Sequence, residues 1–84
     1  MLYHSARFRR QWKHLSPKVK DEVDARVEVL QVSEFDPLLN NHKLSGKYAA
    51  YRSINITGDV RIAYKRVTDG FYLVAIGAHS ELYK

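Results

Sequence analysis

Between Tyr51 and His79 the hydrophobic pattern repeats every two residues and is broken twice by short polar turns. A strand sends successive side chains to opposite faces, so this period marks a sheet whose two faces differ in character. "YAAYRSINI" sets Tyr51, Ser53 and Asn55 against Ala50, Arg52, Ile54 and Ile56. After the turn "TGD", "VRIAYKRV" sets Val60, Ile62 and Tyr64 against Arg61, Ala63 and Lys65. After "TDG", the run "FYLVAIGAH" is apolar enough to lie in the centre of the sheet. Three strands joined by two tight turns make an antiparallel meander. Its apolar face must be covered, and only the preceding chain can cover it.

That preceding chain has a helical period. Ser5 can cap a helix carrying Phe8, Trp12 and Leu15 at i, i+4 and i+7, with Arg7, Arg9, Arg10, Lys13 and His14 on the other side. "LSPKVKDE" restarts the helix, with Ser16 as N-cap and Pro17 at the first position, where a missing N–H is harmless. Val19, Val23, Val27 and Leu30 then recur at helical spacing, and this period outweighs the strand preference of valine. Asp36-Pro37 ends the helical unit, "LLNNHKLSGKY" reads as a connecting loop, and Met1–His4 can form an opening edge strand. The expected architecture is α+β, one domain over residues 1–84, with an N-terminal helical hairpin packed on a small antiparallel β-sheet.

A chain of 84 residues buries only ~60–65% of its unfolded surface, so its core must be used efficiently. It has no cysteine, which excludes disulfides and thiolate metal sites and fits a cytoplasmic location. No stretch reaches the ~18 apolar residues of a membrane span, and no signal-peptide pattern is expected at the start. The formal net charge is +5, which points towards a polyanionic partner such as nucleic acid.

The polar residues of interest sit at strand ends. Asp59 and Arg61, two apart, share a face, and in a meander Asn55, Asp59 and His79 converge at one edge of that face. His42, by count, falls at the opposite end unless the loop before it folds back across the sheet. Asp59 also reads as a plain turn residue, Arg61 as part of a solvated face, and His4 and His14 as surface residues. His79 is harder to dismiss, because it interrupts an apolar run just after small residues. The histidine and carboxylate spacings match no compact metal motif, so neither metal nor cofactor is expected. "KLSGKY" lacks the spacing of a phosphate loop.

The second half, "NHKLSGKYAAYRSINITGDVRIAYKR" followed by "AIGAHSELY", resembles the RelE/ParE superfamily of bacterial toxins, and within it the YafQ-like branch. The matching residues are His42, Leu44 and Gly46; Tyr51-Arg52; Asp59 with Arg61-Ile62-Ala63-Tyr64; and Gly77, His79, Leu82 and Tyr83. The resemblance implies a RelE-like fold and a ribosome-dependent endoribonuclease, inhibited by an antitoxin from the same operon. It also implies active-site positions at His42, Asp59, His79 and Tyr83, with Arg61 matching a phosphate-contacting strand arginine of the RelE branch. A further histidine of the YafQ-like branch falls at Asn55, the aromatic after Asp59 is replaced by Val60, and the closing aromatic is Tyr83 where that branch tends to phenylalanine.

Metal-free RNA cleavage asks for such residues. A histidine can give or take a proton near neutral pH, a guanidinium matches phosphate, and an aromatic ring can stack on a splayed base. Arg7, Arg9, Arg10, Lys13 and Lys18 are then expected to grip ribosomal RNA, while Lys43, Lys47 and Arg61 face the message. The rival readings are a ParE-type toxin that poisons DNA gyrase on the same fold, and a basic nucleic-acid-binding domain without activity.

Overall fold

The computed structural model describes residues 1–82. Its elements are β1 (Leu2–His4), α1 (Ala6–Lys13), α2 (Pro17–Val32), β2 (His42–Lys43), β3 (Arg52–Asn55), β4 (Val60–Val67), β5 (Gly70–Ala78) and α3 (His79–Leu82). Short 3-10 turns occupy Pro37–Leu39 and Gly46–Tyr48. The five strands form one sheet in the order β1-β5-β4-β3-β2. The expected meander and helical hairpin are both present, capped as their sequences require. Ser5 Oγ accepts the Phe8 N–H at 2.9 Å, and Ser16 Oγ accepts the Val19 N–H at 3.3 Å, with Pro17 in the first turn of α2.

The sheet differs from expectation in two ways. It is not wholly antiparallel, because β1 lies parallel to β5, with Leu2 opposite Phe71 and His4 opposite Leu73. A parallel pair needs a long crossover, which the chain between these two strands supplies. In addition, the segment expected to be only a loop contributes β2, which pairs antiparallel with β3.

The rung Ile54–Ile62–Ile76 crosses β3, β4 and β5 and faces the helices. There it joins Phe8, Val23, Val27, Leu30, Leu39 and Leu73 in the main core. The neighbouring rung Ser53–Ala63–Ala75 points the other way and is also buried. Its small side chains leave room for Leu82, which is 2% exposed and packs on Ala63 and Ala75 with Leu44 beside it. β5 therefore stops at Ala78, and His79 opens the short helix α3 that folds over this second face.

A bulge sets the remaining register. Ala63 opposes Ala75 but Tyr64 opposes Leu73, so Val74 is the extra residue, and both Tyr64 and Leu73 turn into the main core. Ser5 Oγ donates to the Val74 carbonyl at 2.5 Å, and Gln11 Oε1 accepts the Ile76 N–H at 3.0 Å. Thus α1 serves the β5 edge where β1 has ended. Its later turn heads towards the end of β5 that carries His79.

Candidate active site

The turn between β3 and β4 is tied by Thr57, whose Oγ accepts the Val60 N–H at 3.0 Å and the Asp59 N–H at 3.3 Å. This fixes the register beyond it. Asn55 lies opposite Arg61, Arg61 opposite Gly77, and Val60 opposite Ala78. The His79 N–H donates to the Asp59 carbonyl at 3.1 Å. Asn55, Asp59, Arg61 and His79 therefore meet at one end of the face turned away from α1 and α2, as the strand pattern predicts. Asp59 and His79 are exposed and Arg61 is half-buried. Arg61 Nη1 donates to the Thr57 and Gly58 carbonyls, each at 3.0 Å, which anchors a permanent positive charge beside the turn. Gly77 adds space here, since a Cβ built on it would meet nothing within 4 Å.

His42 joins the same face. It sits opposite Ser53, so the loop before it does fold back and adds a strand to the free edge of β3. His42 is two positions from the Asn55 level, about 7 Å along the strand, and two strands, about 10 Å, from β4. Leu82 covers Ala63 and Ala75 at the His42 level, so the uncovered part of this face lies at the Asn55–Arg61–Gly77 level. The His42 Nδ1 lies 3.0 Å from the Asn40 carbonyl. A carbonyl only accepts, so Nδ1 carries a proton and the neutral ring keeps its lone pair on Nε2.

The anchor of this loop is a polar network that the sequence reading missed. Asn41, the residue before His42, donates through Nδ2 to the Glu34 carbonyl at 3.0 Å and to the Tyr64 hydroxyl at 2.6 Å. Its Oδ1 accepts from Arg52 Nε at 2.7 Å. Tyr64 in turn donates to Glu34 Oε2 at 2.7 Å, and Arg66 Nε donates to Glu34 Oε1 at 2.6 Å. Burial, reinforced by the Glu34 carboxylate, pushes the Tyr64 phenol up to about 12. Burial also acts to raise Glu34, but the hydrogen bonds from Arg66 and Tyr64 outweigh it and hold the carboxyl below its ordinary value. The sequence offered one signal, a tyrosine on the core face whose hydroxyl needed a partner.

Of the other candidate residues, Lys43 lies opposite Arg52 and is exposed, and the Lys47 ammonium stands 5.3 Å from the Tyr48 ring centroid. Arg9, Arg10 and Lys13 are exposed on α1 and Arg7 is half-buried, while Lys18 is exposed early in α2. Tyr83 lies outside the described residues. Asn55 stands where the YafQ-like pattern has a histidine, and among the described residues its Oδ1 is buried with no hydrogen-bond partner. Also among the described residues, no three His, Cys, Asp or Glu side chains gather as a metal would require.

Comparison with known proteins bears on what this arrangement is. No curated protein matches the chain by sequence. Among solved structures, YafQ from E. coli strain BL21(DE3) shares 15% identity, with a TM-score of 0.86 over 100% of this chain and 98% of that one. A copper-bound mutant toxin from Helicobacter pylori shares 28% identity, with a TM-score of 0.75 over 98% of this chain and 97% of that one. The toxin fold seen in the E. coli DinJ–YafQ complex gives 16% identity and a TM-score of 0.79, covering 100% and 98% of the two chains. The family described as "Bacterial toxin of type II toxin-antitoxin system, YafQ" matches residues 1–84. With the helical hairpin, five-stranded sheet and folded-back His42 strand in place, the chain belongs to the YafQ family of type II toxin–antitoxin toxins.

Proposed function

We propose that this toxin is an endoribonuclease that cuts mRNA on the ribosome and so stops translation. The observation that carries the reading is the convergence of Asp59, Arg61 and His79 at one end of the open sheet face, with His42 reaching in from the added edge strand. In this reading residues 1–84 act as one toxin domain in the cytoplasm.

The chemistry follows from the groups. The RNA 2′-oxygen attacks the adjacent phosphorus and expels the 5′-oxygen. His42 takes the 2′-hydroxyl proton on Nε2, the nitrogen left basic by the Nδ1–H···Asn40 bond. His79, just past the end of β5, gives a proton to the leaving oxygen. Arg61 balances the charge that builds on the phosphorane, and its bonds to the turn carbonyls hold it there beforehand. Asp59 orients the imidazole of His79, to which it is tied through the backbone, and Tyr83 stacks on a base. The sheet face is shallow, so the ribosome positions the message, a contribution worth ~7–11 kcal/mol in favourable cases. The basic α1 grips ribosomal RNA. The E. coli relative occurs in complex with DinJ, and an antitoxin from the same operon is the corresponding partner here.

The test is cleavage of mRNA during translation in a reconstituted system, mapped at nucleotide resolution. The wild type is expected to cut on ribosomes and hardly at all on free RNA, with His79→Ala inactive but still ribosome-bound. Growth arrest with intact mRNA, broken DNA and a still-toxic His79→Ala would overturn the reading.

A further inference from the structure

At the other end of the sheet a cleft of about 510 Å³ opens between the end of α2 and the strands. Phe35, Lys43, Tyr51, Arg52, Lys65 and Arg66 line it. Four of these are cations, and the one carboxylate in the lining, Glu34, is already engaged by Arg66 and Tyr64. Phe35 is 59% exposed, an unusual setting for a phenylalanine with no apolar cover. The guanidinium carbons of Arg52 and Arg66 lie 5.1 and 5.9 Å from its ring centroid. Round the sheet edge, on the opposite face, the Lys65 ammonium lies 6.0 Å from the Tyr51 ring and 5.7 Å from the Tyr72 ring. Two aromatic surfaces are thus set among fixed positive charges, next to the strand that carries His42.

We propose that this cleft binds a nucleotide of single-stranded RNA flanking the one that is cut. The base stacks on Phe35 or Tyr51, and the phosphates lie on Lys43, Lys65 and Arg66. Aromatic planes beside cations suit a splayed base followed by its phosphate. A duplex would present the phosphates but hide the base faces, leaving the rings unused. An acidic peptide would engage the cations and likewise leave the rings bare. Lys43 follows His42 directly on β2 but faces the other way, so an RNA strand passes from the candidate active site into the cleft by turning round this two-residue edge strand. The inference rests on the nuclease reading and deepens it.

The experiment measures binding apart from cutting. The full chain carrying His79→Ala is titrated into a short fluorescein-labelled single-stranded RNA at low salt and followed by anisotropy. Phe35→Leu in that background is expected to weaken binding roughly tenfold, and Phe35→Trp to restore it. Lys65→Glu should weaken binding and lower its salt dependence. RNA carrying 4-thiouridine should cross-link to Phe35 or Tyr51. Unfolding curves confirm that each variant is folded, and Phe35, being exposed, can be changed without emptying the core. The proposal fails if folded Phe35→Leu binds the RNA as well as its parent. It fails equally if a hairpin duplex suffers the same loss, or if only antitoxin binding drops, which would make the cleft a protein surface. Normal cutting with Phe35→Leu without effect removes the cleft and keeps the nuclease. Phe35-dependent binding by a wild type that never cuts does the reverse.

Discussion

Asn41 donates to the Tyr64 hydroxyl at 2.6 Å, joining the residue before His42 to a side chain that is 0% exposed. An exposed histidine on a two-residue edge strand would otherwise be poorly fixed. The bond makes its placement depend on the core. Tyr64→Phe keeps the ring packing but removes the hydroxyl, leaving Asn41 and Glu34 each short of a partner. Urea unfolding should show a loss of about 1–3 kcal/mol. The His42 ring resonances should shift in the same variant while those of His14 stay put. An unchanged His42 spectrum would separate the network from the site.

The same network sets two pH limits. The Glu34 carboxyl is held below its ordinary 4.5, so its contribution is present above that value and is lost as pH falls through the lower folded value. Glu34→Gln should therefore flatten the acid limb of the stability profile below about pH 4.5. Tyr64 is shifted the other way, from 10.0 to about 12. Its contribution is complete below pH 10 and disappears as pH rises towards 12, an effect of roughly 2–3 kcal/mol. Tyr64→Phe should abolish that alkaline limb. Thermal melts across both pH ranges decide the matter.

At Gly70 the first residue of β5 lies against the backbone of Met1, just before β1. A Cβ built there would stand 1.8 Å from the Met1 carbonyl oxygen, which accepts the Phe71 N–H at 3.1 Å. Gly70→Ala must displace that backbone, and a loss of about 1–3 kcal/mol is expected. Hydrogen exchange should quicken at Phe71 and Leu73, on the β1 side, and remain slow at Ile62. Uniform loosening of the whole sheet would contradict this.

The exposed cations of α1 are expected to act through charge alone. Reversing Arg9, Arg10 and Lys13 should weaken ribosome binding and flatten its dependence on salt, by close to one phosphate contact for each cation that was engaged. Stability should change by no more than ~0.5 kcal/mol, as for ordinary surface substitutions. A binding curve that loses affinity at a constant salt slope would mean that α1 contributes shape rather than charge.

The alternation in residues 51–79 was enough to place Asn55, Asp59, Arg61 and His79 together, because strand period and tight turns are local properties. The helices were legible for the same reason, through Ser5 and Ser16–Pro17. His42 was harder. Its position depends on a two-residue strand held by Asn41, Glu34, Tyr64 and Arg52, which come from four separate parts of the chain. No local period reports such a meeting. Leu82 was read as part of a closing motif, yet its burial against Ala63 and Ala75 requires knowing that the strand ends at Ala78. Tyr64 was grouped with Val60 and Ile62 on one face, which is the face that meets the core, while the partners of its hydroxyl were not visible.

Ser5 and Val74, bonded at 2.5 Å, stand 69 positions apart in the chain. The β3–β4 and β4–β5 hairpins, by contrast, close over turns of a few residues. Contacts between distant positions pay their loop entropy before they are rewarded and so form late. During folding the meander should take shape first, and the parallel β1 with the start of α1 should dock onto it last. Pulse-labelled exchange would show the Ile62 N–H protected before that of Phe71. The end of the sheet holding Asp59, Arg61 and His79 would then be assembled while the basic helix is still finding its place.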